Sequence, residues 1–397
     1  MKLIRRVKYL DEVESLIGTP DIKVITGVRR CGKSKLMDAI KIRLRDLDHN
    51  ANIIHINFNL TDFEELLEYH ALESYVEGKY VAGVTNFLLI DEIQMCTSFE
   101  KAINSLHAKE KYDIYVTGSN AFLQSSDLAT LFVGRTFEIN MFPFSFEEYM
   151  EYYPSKNIYE SLTEYMKCGG MAGSYLYKNM EQRYRYINND VMNALIVRDI
   201  VEKYKIRNEP LMQELIDFLM DNIGNKTSVR GIADALLSNN RKADHKTIGK
   251  YITSLCRAFA FYRFRRYDVK GKKYLKSEDK YYLSDHSFRY ARLGTRNMDY
   301  GRVLENIVAV ELLRRGYESY VGVLYDKEID FVVMNQSDKI YIQVAYDISE
   351  EKTFKREIEP LLKIRDAYPK LLIARTYQPE YQYEGIRVID AAEWLLK

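Results

Sequence analysis

The sequence predicts an α/β protein built from several domains, and three observations support this prediction. A glycine-bracketed loop at 27–34 lies between a short β-branched run and a helical pattern. An apolar run at 87–90 ends in two acids, Asp91 and Glu92. Near the C-terminus, at 301–345, a helical pattern is followed by two alternating runs. We therefore expect an N-terminal parallel sheet, a helical middle region and a second α/β domain.

Composition places the chain among ordinary globular proteins. Of its 397 residues, 47% are apolar and 29% are charged, which argues against a disordered or fibrous protein. This length suggests two or three domains. The four cysteines are far apart and form no C-x-x-C pair, so we expect reduced thiols. Without a signal-peptide core or a long apolar segment, we expect a cytoplasmic protein that does not contact membranes.

The loop at 27–34 matches the pattern G-x-x-x-x-G-K-[ST]. In this phosphate-binding loop (P-loop), backbone N–H groups hold phosphates, the lysine reaches the β- and γ-phosphates, and the hydroxyl binds Mg²⁺. A chance match in a turn is the alternative, but a strand before the loop and a helix after it favour the P-loop. The sequence thus predicts an ATP and Mg²⁺ site. Its predicted residues are Gly27, Val28, Arg29, Arg30, Cys31, Gly32, Lys33 and Ser34.

The apolar run 87–90 is typical of a buried parallel strand that brings carboxylates to the carboxyl edge of a sheet. Asp91 is expected to hold Mg²⁺ together with Ser34, and Glu92 to orient and deprotonate the attacking water. A plain strand followed by an acidic turn is the alternative. Asn120, after the run 113–117, is a candidate sensor of the γ-phosphate. Arg135 is a candidate for stabilising transition-state charge, in its own or a neighbouring subunit, or a surface arginine paired with an acid.

Five segments resemble those of the prokaryotic AAA+ ATPases of the archaeal-type group, relatives of the STAND signalling ATPases. They read GVRRCGKS, FLLIDE, VTGSN, LFVGRTFEINMFPFSFEEY and YMKCGGMAGSY. The resemblance implies an ATPase with a C-terminal region of unknown function. It also implies that Lys33 and Ser34 bind nucleotide and Mg²⁺, that Asp91 and Glu92 are the acidic pair, and that Asn120 is the sensor. The resemblance assigns a role to Arg135 less directly than it does to these residues.

The middle of the chain is strongly basic. Between 226 and 276 there are 14 lysines and arginines against three acids. Three helical patterns are followed by two short strands, at 259–264 and 280–283, which are joined by a basic loop. This order predicts a winged helix, and the charge favours double-stranded DNA as its partner over a solvated interaction module. The predicted DNA contacts are His245, Lys246, Lys250, Lys270, Lys272 and Lys273.

The C-terminal pattern resembles the restriction-endonuclease-like fold, in which a glutamate, an aspartate and an E-x-K pair hold Mg²⁺. Glu305 and Asp330 match the first two acids. The third element reads Gln343-Val344-Ala345, so a ligand charge and the lysine are missing. We therefore expect a vestigial nuclease site that does not cleave.

These parts together predict four segments: an AAA+-like ATP-binding domain at 1–155, a helical linker at 156–208, a winged helix at 209–290 and the nuclease-like domain at 291–397. The predicted activity is Mg²⁺-dependent ATP hydrolysis that controls DNA or partner binding by the C-terminal domains. One alternative is a slow nucleotide-gated switch that binds a protein, of toxin or defence type, without DNA. An active metal-dependent nuclease is a weaker alternative. A homo-oligomer would be needed for Arg135 to act between subunits.

Overall fold

The computed structural model describes residues 4–118, 132, 134–237, 244–274, 278–295, 299–336 and 338–397, apart from the side chain of Arg198. The chain divides into two compact units, Met1–Met141 and Phe142–Lys397. No helix among the described residues has the length and apolar composition needed to cross a bilayer.

The first unit is built on a five-stranded parallel sheet with the order β2-β3-β4-β1-β5. Its strands are β1 (Ile22–Gly27), β2 (Asn52–Asn57), β3 (Asn86–Asp91), β4 (Asp113–Thr117) and β5 (Thr136–Met141). Its helices are α1 (Val7–Ser15), α2 (Lys33–Leu47), α3 (Tyr69–Gly78) and α4 (Phe99–Ala108), with 3₁₀ turns at Thr61–Leu66 and Ile93–Met95. The predicted N-terminal parallel sheet is confirmed.

The apolar runs of the sequence form the centre of this sheet. Every residue of β1 and of β3 is buried, as expected for strands covered on both faces. The register pairs Ile25 of β1 with Thr117 of β4, and Ile90 of β3 with Val116 of β4. The carboxyl ends of these three strands therefore lie side by side at one edge of the sheet.

The second unit begins with helices and short turns. Its helices are α5 (Phe146–Tyr152), α6 (Ile158–Cys168), α7 (Met180–Tyr186), α8 (Glu209–Asp221), α9 (Val229–Leu237), α10 (His245–Arg257), α11 (Ser287–Leu293), α12 (Tyr300–Arg314), α13 (Glu351–Leu362) and α14 (Ala391–Leu395). A 3₁₀ turn covers Ala172–Leu176, and π-helical turns cover Ile187–Met192 and Leu195–Glu202.

Two glycines end helix α6 and allow a close contact. Gly169 takes a φ of 71°, and the Gly170 N–H donates to the buried Asp285 at 2.6 Å. A Cβ on Gly170 would lie 2.3 Å from the backbone oxygen of Phe144, so a larger residue does not fit there. The glycine-rich segment 165–175 is thus a packing element within this unit.

The strands of the second unit form two sheets. They are β6 (Phe261–Phe264), β7 (Arg266–Asp268), β8 (Lys273–Tyr274), β9 (Lys280–Leu283), β10 (Glu318–Leu324), β11 (Lys327–Asn335), β12 (Asp338–Ala345), β13 (Lys370–Ala374), β14 (Tyr381–Tyr383) and β15 (Ile386–Asp390). A mixed eight-stranded sheet has the order β14-β15-β13-β12-β11-β10-β7-β8, and β6 pairs antiparallel with β9 in a separate sheet. The predicted C-terminal α/β architecture is confirmed.

The basic loop expected between the two short strands needs a correction, because part of it is folded into the larger sheet. β7 pairs parallel with β10 and antiparallel with β8. The side chains of Tyr267 and Val269 are buried in the core of that sheet, which explains why this basic segment does not extend freely. The preceding strand also begins at Phe261 rather than at Phe259, since Phe259 has a φ of 54°.

Candidate functional site

The segment 28–32 joins β1 to α2 and has the backbone of a phosphate-binding loop. Gly27 and Gly32 take φ values of 141° and 108°, which glycine adopts at little cost. A Cβ on Gly27 would lie 2.1 Å from the backbone oxygen of Met141. Helix α2 begins at Lys33, so its unpaired N–H groups and the positive end of its dipole are directed at the loop. This arrangement suits an anion.

Side chains of the loop hold it in place from inside. Val28 and Cys31 are fully buried, whereas Arg30 is exposed. The Lys33 side chain is also buried, and its ammonium donates to the backbone oxygen of Gly27 at 2.8 Å and to that of Val28 at 3.4 Å. The lysine charge is therefore held against the loop itself.

The acidic pair lies at the end of β3. Asp91 is 1% exposed, and its Oδ1 accepts a short hydrogen bond from the Thr117 hydroxyl at the end of β4. Its Oδ2 is buried and has no hydrogen-bond partner among the described residues. Buried carboxylate oxygens are normally paired, so this oxygen is free for a ligand that supplies positive charge.

Glu92 adopts a left-handed backbone conformation, with a φ of 59°. Its N–H donates to the Thr117 hydroxyl at 3.2 Å, and its carboxylate accepts from Gln94 Nε2 at 2.5 Å. The single hydroxyl of Thr117 thus contacts both members of the acidic pair. Our sequence interpretation missed Thr117, although its position at the end of an apolar strand was visible.

Arg135 does not join this group, and the predicted sensor Asn120 lies outside the described residues. Arg135 is exposed and precedes β5, and its backbone oxygen accepts from the N–H of Ile22 at the beginning of β1. The P-loop follows the other end of β1, about 16 Å away at ~3.3 Å per residue. Arg135 therefore lies at the opposite edge of the sheet from the P-loop of its own chain.

The predicted DNA-contacting residues are all exposed, but they lie on different elements. His245, Lys246 and Lys250 are on the first turns of α10. Lys270, Lys272 and Lys273 lie in the β7–β8 hairpin at the edge of the eight-stranded sheet. The Asp268 carboxylate accepts from the N–H groups of Lys270 and Gly271 at 3.1 and 2.9 Å, which fixes the turn of this hairpin.

The predicted nuclease-like acids come together around a lysine that our sequence interpretation missed. The Lys280 ammonium lies 2.7 Å from Glu305, 2.8 Å from Glu328 and 3.5 Å from Asp330. The lysine is 3% exposed. It comes from β9, whereas Glu305 is on α12 and both other acids are on β11. We call these four residues the Lys280 cluster. The sequence signal for this cluster was the lysine that begins the predicted strand 280–283.

Charge and burial decide the protonation of this cluster. Burial lowers the pKa of Lys280, but the three carboxylates more than offset this effect and raise the pKa above its ordinary value. Burial and the neighbouring Glu305 raise the pKa of Asp330 to about 8, against the opposing effects of Lys280 and the Val344 N–H. Burial also raises the pKa of Glu328, but Lys280 and Lys226 lower it further, so the net shift is downward.

The side-chain amide of Gln343 contacts the backbone of the Lys280 cluster and a neighbouring acid, Glu357. Its Oε1 accepts from the Asp330 N–H at 3.3 Å, and its Nε2 donates to Glu357 at 3.1 Å. An open groove of about 620 Å³ passes Glu305, Asp330 and Gln343. Among the described residues, no group of three or more His, Cys, Asp or Glu is arranged to hold a metal ion.

Comparison with known proteins agrees with this geometry. Residues 19–150 match the model of a family described as an AAA domain, and residues 159–299 match a domain of unknown function, DUF8612. An uncharacterized protein of Haemophilus influenzae is 34% identical over 404 residues, which cover 100% of this chain and 99% of the relative. A second uncharacterized protein, MJ1544 of Methanocaldococcus jannaschii, is 28% identical over 98% of this chain and 90% of its own length.

Among solved structures, a Walker-type ATPase of Pyrococcus abyssi aligns with a TM-score of 0.48 and 16% identity, over 74% of this chain and 96% of that one. The full-length match to the Haemophilus protein and the AAA match over the P-loop unit are the informative findings. The AAA match also agrees with the sheet order and the P-loop described above. The chain belongs to the family of this Haemophilus influenzae protein, and its N-terminal unit is an AAA-type P-loop domain.

Proposed function

We propose that the protein is a Mg²⁺-dependent ATPase. The observation that carries the proposal is the buried Oδ2 of Asp91, which has no hydrogen-bond partner in the part of the chain that the structure describes. This oxygen lies at the P-loop edge of a sheet in an AAA-type domain. A carboxylate oxygen of this kind suits a hard divalent cation. Asp91 and the Ser34 hydroxyl would hold Mg²⁺, which when bound supplies positive charge to the phosphates.

The remaining chemistry belongs to residues of this chain. The N–H groups of the P-loop bind the phosphates, and Lys33 exchanges its contacts with the loop carbonyls for phosphate oxygens. Glu92 orients the attacking water and accepts its proton. Thr117 positions Asp91 and Glu92 relative to each other, and Gln94 holds the Glu92 carboxylate. Asn120 is proposed as the sensor.

Arg135 is proposed to act only between subunits. Its place at the opposite edge of the sheet from its own P-loop suits contact with the nucleotide of a neighbouring copy in a homo-oligomer. Arg135→Ala should then lower ATP hydrolysis at concentrations at which the protein assembles. An unchanged rate in the assembled variant would remove this role.

ATP hydrolysis by the purified protein tests the main proposal. We expect turnover that requires Mg²⁺ and that is lost in Lys33→Ala and in Glu92→Gln. Glu92→Gln should still bind ATP, since it removes only the proton acceptor. Lys35→Ala serves as a matched control, because Lys35 is an exposed lysine of α2 that pairs with Asp38. Hydrolysis that persists in Glu92→Gln would contradict the assigned base.

The nucleotide state is proposed to regulate DNA binding by the second unit. Helices α8, α9 and α10, followed by the β6–β9 pair, occur in the order of a winged helix, and the basic residues of α10 are exposed. If DNA binds there, Lys246→Ala with Lys250→Ala should weaken binding at all sequences and lower the slope of log affinity against log salt by about 2. ATP hydrolysis should rise when double-stranded DNA is added.

A nucleotide-gated protein-interaction switch is the second candidate. The incorporation of residues 266–274 into the large sheet favours it, because a wing held in a sheet has less freedom to follow a DNA backbone. In that case DNA should leave turnover unchanged, and the double lysine variant should behave like the parent protein.

We also propose that the nuclease-like domain does not cleave nucleic acid. Lys280 already supplies a positive charge to Glu305, Glu328 and Asp330, and the Gln343 amide oxygen accepts from backbone. Incubation with supercoiled and linear DNA, with Mg²⁺ or Mn²⁺, should give no products. Cleavage that disappears in Asp330→Ala would establish the nuclease alternative instead.

A further inference from the structure

A second candidate binding site lies in the C-terminal sheet, at the carboxyl ends of β12 and β13. These strands are parallel, and the segments that follow them, 346–349 and 375–378, line one pocket together with Tyr381. In α/β sheets, ligands bind outside the carboxyl ends of parallel strands. The pocket therefore occupies a position at which ligand binding is common.

Arg375 places a buried positive charge in this pocket. It is 8% exposed. Its guanidinium donates to the Tyr346 hydroxyl and to the Thr163 hydroxyl, both at 2.7 Å. Both partners are neutral, and the described part of the chain places no carboxylate within 4.0 Å of it. A guanidinium has five N–H donors, so these two bonds leave capacity for an anion.

Buried charges in proteins are usually paired, because removing an ion from water is costly. The nearby buried acid, Asp390, binds backbone N–H groups instead. Its Oδ2 accepts hydrogen bonds from the N–H groups of Thr376 and Tyr377, each at 2.8 Å. It fixes the loop that carries Arg375 without forming an ion pair with it. An anionic ligand would supply the missing counter-charge.

Aromatic rings surround the guanidinium. Its carbon lies 5.0 Å from the ring centre of Tyr346 and 5.2 Å from that of Tyr377. Tyr377 is 56% exposed and Tyr381 is 37% exposed. Exposed tyrosine rings at a pocket rim offer faces on which a base can stack. The pocket thus combines a cation with apolar planar surfaces.

The pocket also contains a carboxylate. Asp347 is exposed at the rim of the pocket and accepts from the Ser349 N–H at 2.8 Å. Hydrogen bonds from Ser349 lower the pKa of Asp347, so the group is ionised at neutral pH. In nucleotide sites an acid of this kind accepts hydrogen bonds from ribose hydroxyls.

We propose that this pocket binds a nucleoside 5′-monophosphate, with Arg375 on the phosphate, Tyr377 or Tyr381 on the base and Asp347 on the ribose. The 5′-phosphate could belong to a free nucleotide or to the end of a nucleic acid strand. This site is distinct from the P-loop and adds a ligand to the second unit. The inference does not depend on ATP hydrolysis at the P-loop of the first unit.

Calorimetric titration of the full chain carrying Lys33→Ala tests the proposal, because this background weakens nucleotide binding at the P-loop. We expect saturable binding of AMP, reduced at least tenfold by Arg375→Gln. Tyr377→Ala, at a largely exposed position, should also weaken binding and gives a second test if Arg375→Gln misfolds. Arg365→Gln is the matched control, since Arg365 is an exposed arginine of the same domain, and it should bind like the parent.

The source of the phosphate is tested by parallel titrations. AMP binding that exceeds dAMP binding would support recognition of a free ribonucleotide through Asp347. Tighter binding of a 5′-phosphorylated oligonucleotide than of its 5′-hydroxyl counterpart, without AMP binding, would support a strand end. Absence of binding to AMP and to both oligonucleotides, or binding unaffected by both Arg375→Gln and Tyr377→Ala, would overturn the proposal.

A reciprocal measurement separates this site from the proposed ATPase. Arg375→Gln in the otherwise native chain should leave ATP hydrolysis unchanged, whereas Lys33→Ala should abolish hydrolysis and leave AMP binding intact. If hydrolysis is absent from the native chain while AMP binds through Arg375, the ATPase proposal fails and the pocket stands.

Discussion

The two acidic sites of this protein have the same kinds of residues and opposite charge compensation. In the first unit, Asp91 is buried, and one of its carboxylate oxygens has no partner among the residues that the structure describes. In the second unit, Asp330 is buried in a cluster in which the Lys280 ammonium contacts all three acids. The first site leaves room for an external cation, and the second contains its own. The presence of buried carboxylates therefore does not by itself indicate a metal site.

The largest effect on ATP hydrolysis is expected at Asp91. Asp91→Asn should lower Mg²⁺-dependent ATP hydrolysis by at least about 100-fold, because the neutral amide binds Mg²⁺ poorly at a centre of phosphoryl transfer. Steady-state turnover across a Mg²⁺ titration measures this. The amide can still accept from Thr117, so the fold should be retained. Asp38→Asn, at a partly exposed position on α2, is the control. Equal turnover in both variants would place the cation elsewhere.

Lys280→Met should damage stability rather than ATP hydrolysis. Removing one partner of a buried ion cluster typically costs about 3–5 kcal/mol. The loss should grow with pH. Without the ammonium, the buried carboxylates have no counter-charge and favour their protonated forms, so the folded state binds more protons than the unfolded state and stability falls as pH rises.

Urea unfolding at pH 5 and pH 8 measures this loss in Lys280→Met. Lys226→Met is the control, because the partly exposed Lys226 pairs, among the described residues, with Glu328 alone. Adding Glu305→Gln to Lys280→Met should recover part of the stability. A pH-independent loss would indicate missing packing rather than missing charge.

Thr117→Val should have an intermediate effect on the first site. The substitution keeps the shape of the side chain but removes the hydroxyl that contacts both Asp91 and the Glu92 N–H. We expect kcat to fall about tenfold, because the acidic pair loses its common anchor, while ATP binding changes little. Thr26→Val, which removes the hydroxyl bonded to Glu138, provides a comparison on the same sheet. A kcat equal to that of Thr26→Val would remove the positioning role.

The last expected effect is at Asp330, whose pKa is raised to about 8. A carboxyl with a folded pKa above its unfolded value makes stability fall as pH rises between the two values. Asp330→Asn removes this contribution, so the stability of the variant relative to the parent should rise by on the order of 1 kcal/mol per pH unit between pH 6 and pH 8 and then level off. Urea midpoints over this range test it. A constant difference would show that Lys280 keeps Asp330 ionised throughout.

Much of the first site could be predicted from local patterns. The segment 27–34 and the apolar run ending at Asp91 each contain the residues that shape them, because a P-loop is made by one strand, one turn and one helix start. The strand order that brings Thr117 between β1 and β3 depends on pairings between distant segments. No local pattern near Thr117 indicates these pairings.

In the second unit, local sequence patterns predicted less of the structure than they did in the first. The alternation in β11 and β12 predicted two adjacent strands, and Asp330 and Glu305 were identified as neighbours. The basic segment 266–274 was expected to be a free loop, but the burial of Tyr267 and Val269 places it in the sheet. A basic composition did not reveal that two apolar side chains would decide its position.

By itself the sequence determined the P-loop, its acidic strand and the α/β character of both ends, since each follows from residues close together in the chain. Only the tertiary structure decided which charges meet. Lys280 lies 25 residues from Glu305 along the chain, yet their side chains are in contact, and Arg375 contacts Thr163 across 212 residues. Whether a buried charge is already compensated depends on such distant partners, because charge interactions depend on separation in space rather than along the chain.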